Sequence, residues 1–373
     1  MNYELNKSQK MLQKSARDFL SRECSSELVR KMAADEKGVD PEIWEKMAEL
    51  GWMGINIPPE YGGGGFDFMD LVILLQQMGY YALPGPFFAS VVLGGMAILE
   101  AGSEEQKKRL LPEIAEGTKK FTMAWMEAGS GYAPQNFGTR AAEKGEQYVL
   151  SGSKRFVPDA RAADCIICFA QQEGHDGVSA FVVDADSPGV QVNELVCFSG
   201  EKLDEVVFDG VEIPTENMLG EPGKGGVLLE RILSLAAVGK CAEMSGGARM
   251  VMNLAVPYAK TRKQFGRPVG AFQAIQHHLA DMLTYADTME FMTLKAAWLI
   301  SAGFSADREV SICKAWASDS YKKLVRLGHQ VIGGMGFMEE YDLQLYFKRA
   351  KTAEVLFGDG DFHRERVAKQ IFS

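Results

Sequence analysis

The spacing of apolar positions changes character twice along the chain. Between about residues 7 and 116, Leu12, Ala16, Phe19 and Leu20 recur at three- and four-residue intervals, the period of an amphipathic helix. A second helical pattern over 41–50 opens with Pro41, at the position where its missing N–H costs nothing. Pro58-Pro59-Glu60-Tyr61-Gly62-Gly63-Gly64-Gly65 interrupts the helical region as a glycine loop, and Ser103, followed by Glu104 and Glu105, is placed to cap a further helix. Between about 121 and 211 the pattern shortens to strand-like runs at 147–150, 165–170, 178–183 and 205–208. Turn signals such as Ser151-Gly152 and Ser187-Pro188-Gly189 separate them. Beyond Gly226, long helical patterns return over 228–261, 274–302 and 309–331. Helices, then strands, then helices, without alternating β and α units, exclude a doubly wound parallel sheet. The pattern predicts an α+β protein in three regions: 1–118, 119–222 and 223–373.

Composition narrows the function classes. Of 373 residues, 46% are hydrophobic and 24% charged, which excludes global disorder. A net charge of −10 without a long basic run argues against nucleic acid as a partner. The first residues show neither a basic nor an apolar signal region, and the most apolar stretch, 71–99, is broken by Gln76-Gln77, Pro84 and Pro86. No membrane span is therefore expected, and a cytoplasmic location is. Six cysteines do not make a disulfide framework in so long a chain. Cys165 and Cys168 form a C-x-x-C without a second pair, and the five histidines lack a His-Glu-x-x-His spacing, so no metal is expected. Gly223-Lys224-Gly225-Gly226 and Gly333-Gly334-Met335-Gly336 match neither a P-loop nor a dinucleotide fingerprint, so a nucleotide cofactor would need another device.

Such a device is suggested by Arg262-Lys263-Gln264-Phe265-Gly266-Arg267-Pro268 with Phe272-Gln273-Ala274-Ile275-Gln276, and by Gln330-Val331-Ile332-Gly333-Gly334-Met335-Gly336-Phe337. Together with Glu60-Tyr61-Gly62-Gly63, Gly152-x-Lys154 and Asp281-Met282, these runs resemble the acyl-CoA dehydrogenase family along nearly the whole chain. The resemblance implies a helical N-terminal domain, a central β-barrel-like domain and a C-terminal four-helix bundle, assembled as a homotetramer. It also implies FAD extended between the β and C-terminal domains. Arg262 and Gln264 would lie at the pyrophosphate, with Phe265, Phe272 and Gln273 nearby, and Gln330, Gly333 and Gly334 would come from a partner chain. Read alone, Arg262 is equally a solvated helix end and Gly333-Gly334 a helix-terminating turn.

On the flavin-ring side the resemblance places Trp125, Met126, Gly129, Ser130, Phe156, Val157 and Pro158. Met126-Glu127-Ala128-Gly129-Ser130-Gly131-Tyr132 stands where the family commonly has Thr-Glu-Pro-Gly-x-Gly-Ser, and Phe156-Val157-Pro158-Asp159 where it has Trp-Ile-Thr-Asn. Pro158 brings neither a hydroxyl nor an N–H, leaving backbone groups of Trp125, Met126 and Val157 to serve.

The family reaction removes the thioester's α proton with a carboxylate while the carbonyl oxygen is polarised by aimed donors. The usual Tyr-Glu-Gly-Thr run is matched by Phe357-Gly358-Asp359-Gly360-Asp361, which puts Gly358 where the glutamate is expected. A few branches of the family carry the base just before an arginine on the first C-terminal helix, and Leu228-Leu229-Glu230-Arg231-Ile232 stands there. The resemblance thus implies Glu230 as base, Arg231 at the substrate, and the Gly358 backbone N–H at the thioester carbonyl. Two alternatives stand beside it: the bland one, Glu230 as an exposed helix residue paired with Arg231 or a turn neighbour, and a functional one, Asp359 as a relocated base. The expected activity is FAD-dependent α,β-dehydrogenation of a branched, cyclic or otherwise bulky acyl-CoA, with electrons passed to an electron-transfer flavoprotein. The alternatives are a non-oxidative lyase or desulfinase of the same fold and a non-catalytic subunit of a hetero-oligomer.

Overall fold

Side-chain caps set the first helix boundaries in the computed structural model, which describes residues 4–132 and 137–372. Helix α1 (Lys7–Glu23) starts at a reciprocal pair: Gln9 N donates to Asn6 Oδ1 at 2.9 Å and Asn6 N to Gln9 Oε1 at 3.1 Å. Helix α2 (Ser26–Ala34) follows, and Asp40 caps α3 (Pro41–Glu49), whose first residue is the expected proline. Asp67 and Asp70 form the same kind of box on α4 (Phe68–Tyr80), a largely buried and correspondingly apolar helix. A π-helical stretch, Phe88–Gly95, leads into α5 (Met96–Ala101). Ser103 then caps α6 (Glu104–Ala115) as its position predicts, with Gln106 closing the box.

Among the described residues, eight strands form one sheet: β1 (Phe121–Ala124), β2 (Arg140–Lys144), β3 (Gln147–Pro158), β4 (Cys165–Gln172), β5 (Val178–Asp184), β6 (Val190–Leu195), β7 (Leu203–Pro214) and β8 (Met218–Leu219). Their order is β6-β7-β3-β2-β4-β5-β8, with β1 laid parallel on β4. Among the described residues the sheet does not close, so the barrel-like expectation is corrected to an open sheet. Its two ends are β6, whose residues are half-buried or exposed, and β8, which is too short to carry a further ladder. The interior is a cluster that includes Leu150, Val157, Ile166, Phe181, Val206 and Phe208. Cys165 and Cys168 lie in β4, and burial pushes both thiols up to about 12.

The rest of the chain is helical: α7 (Gly225–Thr261), a short hairpin of β9 (Lys263–Gln264) and β10 (Arg267–Pro268), then α8 (Gln273–Ser301), α9 (Asp307–Ile332), α10 (Leu343–Val355) and α11 (Gly360–Phe372). No helix among the described residues is long and apolar enough to cross a membrane. Packing groups the chain into two units. One comprises Lys31–Phe66 and Pro84–Ala236 and holds the sheet; the other comprises Met1–Arg30, Asp67–Leu83 and Ala237–Ser373.

Within the second unit, α4 and α7 approach to backbone contact through glycines. A Cβ added at Gly246 would sit 1.9 Å from the Gln76 carbonyl oxygen, and one at Gly79 would sit 2.1 Å from that of Glu243. The buried Gln76 Nε2 donates to Ser245 Oγ at 2.9 Å across the same crossing. Backbone cannot yield as a flexible side chain can, so Gly246→Ala is expected to destabilise by about 2 kcal/mol or more. Gly226→Ala, where a Cβ meets nothing within 4 Å, is the control and gains up to about 1 kcal/mol from helix propensity. Denaturant midpoints of the two variants check this, and equal midpoints would refute the crossing.

Candidate active site

The segment after β1 is fastened to β3 by a buried ion pair. Lys154 is fully buried, and its Nζ donates to Glu127 Oε1 at 2.6 Å and to the Trp125 carbonyl at 3.4 Å. The ammonium also lies 3.8 Å from the centre of the Phe137 ring. Glu127 accepts further from Thr139 N at 3.0 Å, Thr139 Oγ1 at 2.6 Å and Gly138 N at 2.5 Å. Burial raises the Glu127 pKa, but hydrogen bonds from Lys154 and Thr139, the Lys154 charge and the Gly138 N–H outweigh it, so the carboxyl lies below its usual range. Burial lowers the Lys154 pKa by more than Glu127 restores.

This cluster brings together most of the expected flavin-ring residues. Arg155 N donates to the Met126 carbonyl at 2.8 Å, joining β3 to the segment. Ser130 Oγ accepts from Glu127 N at 3.1 Å and donates to the Glu127 carbonyl at 3.0 Å, so its hydroxyl closes a tight turn with Gly129 at φ +80°. The pairing of β3 with β7 is irregular between Lys154 and Val157, and Phe156 sits there at φ +57° with its ring half exposed. Trp125 and Val157 are buried, and the Pro158 carbonyl accepts from Thr122 Oγ1.

Glu230 lies in the second turn of α7, exposed, with no hydrogen bond or ion pair among the described residues. The bland pairing with Arg231 is not formed. Arg231 Nε donates instead to Glu100 Oε1 at 3.1 Å.

In the helical unit, Arg262 leads into a hairpin that holds Gln264 and Phe265, and Phe272 follows it as the residue before α8. Val269 N donates to the Arg262 carbonyl at 2.8 Å and Gln264 pairs with Arg267. The Arg262 guanidinium is exposed and has no partner among the described residues. Phe265, at φ +51°, is 91% exposed and meets Phe272 edge-on at 6.1 Å; Gln273 opens α8. Gln330 is exposed in the last turn of α9, and a Cβ at Gly333 or Gly334 would meet nothing within 4 Å.

The turn between α10 and α11 holds Gly358 at φ +96°, after Phe357 at φ +59°. A Cβ at Gly358 would lie 2.6 Å from both His363 Nε2 and Phe362 Cδ1. This position accepts no side chain, so only its backbone is available for chemistry. Asp359, the alternative base, spends Oδ1 on the Phe362 N–H at 2.8 Å as a cap of α11.

Three family models match in order: acyl-CoA dehydrogenase N-terminal domain over 6–118, middle domain over 122–211 and C-terminal domain over 223–372. An acyl-CoA dehydrogenase of Bacillus subtilis (strain 168) is 33% identical, with 97% of each chain covered. The chain belongs to the acyl-CoA dehydrogenase family. The acryloyl-CoA reductase (NADH) of Anaerotignum propionicum is 31% identical over 100% of this chain and 96% of that one. The butyryl-CoA dehydrogenase structure from Megasphaera elsdenii superposes with a TM-score of 0.92 at 29% identity, covering 100% of both chains. Acyl-CoA dehydrogenases are FAD-dependent oxidoreductases acting on the CH–CH bond of CoA thioesters, and this chain is one of them. Its donor set fits that cofactor: an unpaired guanidinium suits a diphosphate, and open space at Gly333 and Gly334 permits close approach of their backbone.

In the sequence Lys154 stands only as the last residue of a Gly-x-Lys run, and its pairing with Glu127 is not visible there because the two lie 27 residues apart. Lys154→Met removes the counter-charge of a nearly buried carboxylate and is expected to cost about 3 kcal/mol at pH 7. Glu127's folded pKa lies below its unfolded value. Its stabilisation is therefore complete above an unfolded pKa of about 4.3 and lost as pH falls through the lower folded value. The difference between wild type and variant should accordingly narrow in unfolding curves taken below about pH 4. A gap independent of pH would show that Lys154 acts through packing alone.

Proposed function

We propose that this chain catalyses α,β-dehydrogenation of a bulky, branched or cyclic acyl-CoA with Glu230 as the proton acceptor. What supports the reading is that position 358 is free of a side chain and has no room for one, while the Glu230 carboxylate, in its own unit, is exposed and has no partner among the described residues. A base must present a free carboxylate to the α carbon. Gly358 has no room for one, Asp359 is committed to a helix cap, and Glu230 is uncommitted.

FAD, when bound, would supply the hydride acceptor for the β hydrogen. The chain's own residues bind, orient and move the proton. Glu230 takes the α proton onto its carboxylate oxygen, while the Gly358 N–H donates to the thioester carbonyl and lowers the cost of removing that proton. Arg231, held by Glu100, stands at the substrate. Arg262 and Gln264 would hold the diphosphate of FAD, with Gln330, Gly333 and Gly334 of a second copy completing the site in a homotetramer. Trp125, Met126 and Val157 offer backbone groups on the ring side, in place of the hydroxyl absent at Pro158. An electron-transfer flavoprotein is the electron acceptor. This agrees with the resemblance to the CarC subunit of a caffeyl-CoA reductase–Etf complex from Acetobacterium woodii, 32% identical over 94% of each chain.

Glu230→Gln keeps shape and hydrogen bonding but removes the acceptor. Flavin reduction by a panel of straight, branched and cyclic acyl-CoAs should slow by about 10²-fold or more, while binding still perturbs the flavin spectrum. Gly358→Glu in that background should not recover activity, because its Cβ has no space. Near-wild-type reduction by Glu230→Gln would remove the assignment. A wild-type flavin that binds acyl-CoA yet is never reduced would favour the non-oxidative alternative.

A further inference from the structure

The end of α10 is built unlike an ordinary helix terminus. Leu356 N bonds the Thr352 carbonyl at 3.2 Å, and the chain then turns through Phe357 in the left-handed region. At such an ending the following N–H groups normally fold back onto the last carbonyls of the helix. Here a lysine takes those carbonyls instead. Lys314, fully buried on α9, donates from Nζ to the carbonyls of Ala353 and Glu354, each at 3.1 Å, to Ser318 Oγ at 2.9 Å and to the Gly358 carbonyl at 2.8 Å. Gly358 itself is buried, and its N–H has no partner among the described residues. Unpartnered buried N–H groups are rare in folded proteins, and one kept free by a lysine is available to an acceptor from outside the chain.

The direction of that N–H is set from the other side of the same peptide. His363 Nε2 lies 2.9 Å from the Phe357 carbonyl, which can only accept, so Nε2 carries the hydrogen. Burial holds the ring neutral, with its pKa pushed down to about 4, and its Nδ1 has no partner among the described residues. The peptide joining Phe357 to Gly358 is planar and trans, so its N–H points opposite to its carbonyl. By holding the carbonyl toward α11, His363 turns the Gly358 N–H away from it.

We infer that Lys314 and His363 are positioning residues that keep the Gly358 N–H free and aim it at the carbonyl oxygen of the bound thioester. The inference rests on the acyl-CoA reading above. Neither side chain touches substrate. Lys314 occupies the carbonyls that would recapture the N–H, and His363 fixes the plane in which it lies. Both also support a non-glycine residue at φ +59°, a conformation that persists only where its surroundings determine it.

The test uses the FAD-loaded protein and crotonyl-CoA labelled with ¹³C at the carbonyl. Bound to wild type, the probe's carbonyl stretch should fall below its value in water. In His363→Leu, which cannot donate, the stretch should return toward the free value, and flavin reduction by the panel of acyl-CoAs should slow about 10-fold or more. Crotonyl-CoA affinity should change far less than the rate. His363→Gln, which restores an N–H donor, should recover the lowered stretch. Lys314→Met should behave like His363→Leu; if it loses FAD or helical signal, the two His363 variants decide. A His363→Leu enzyme with the wild-type carbonyl shift would overturn the positioning role while leaving the acyl-CoA reading intact. Wild type that is reduced by no acyl-CoA and shifts no carbonyl would overturn both.

Discussion

An ammonium group taken out of water must be met by acceptors on every side, and that requirement shapes one buried cluster within each of the two units. Lys154 meets it with a carboxylate, and in doing so fastens the segment after β1 to the middle of β3. Lys314 meets it with carbonyls and a hydroxyl, and gathers the ends of α10 and the following turn onto α9. The two solutions differ in what they leave over. A lysine paired with Glu127 satisfies a charge with a charge and uses up both. A lysine surrounded by neutral dipoles leaves the turn's own N–H unclaimed.

Much of the frame is legible in the sequence because it depends on short-range physics. Helical period, the proline at the start of α3 and the serine cap of α6 all act within a turn or two of the chain, and all appear where they are expected. The open sheet was not legible, since whether a sheet closes depends on pairing between its two edge strands, which no local pattern encodes. The irregularity at Phe156 and the left-handed turn at Phe357 were hidden for a related reason. Both place bulky residues in conformations that their own side chains disfavour, and only the surrounding packing imposes them.

The buried lysines were the least readable elements. Val310, Cys313, Ala317 and Leu324 mark the buried face of α9, and Lys314 shares it, but composition alone assigns a lysine to solvent. Glu230 and Gly358 were legible because a glutamate before an arginine and a glycine in place of a glutamate each stand out within a short run of sequence. Their surroundings required the fold. Glu230 is uncommitted because Arg231 turns to Glu100, and Gly358 is bare because Phe362 and His363 fill the space beside it.

That last crowding also bears on the history open to such a chain. A glycine is ordinarily an unfinished position, one substitution away from any function a side chain can perform. At 358 the route is closed from within. Any carboxylate arriving there meets the ring of Phe362 and the imidazole that holds the neighbouring carbonyl, so it becomes tolerable only after α11 has been repacked. Each repacking step would first loosen the turn while offering nothing in return. A descendant of this protein can therefore place a carboxylate in the turn only by way of earlier changes at Phe362 and His363.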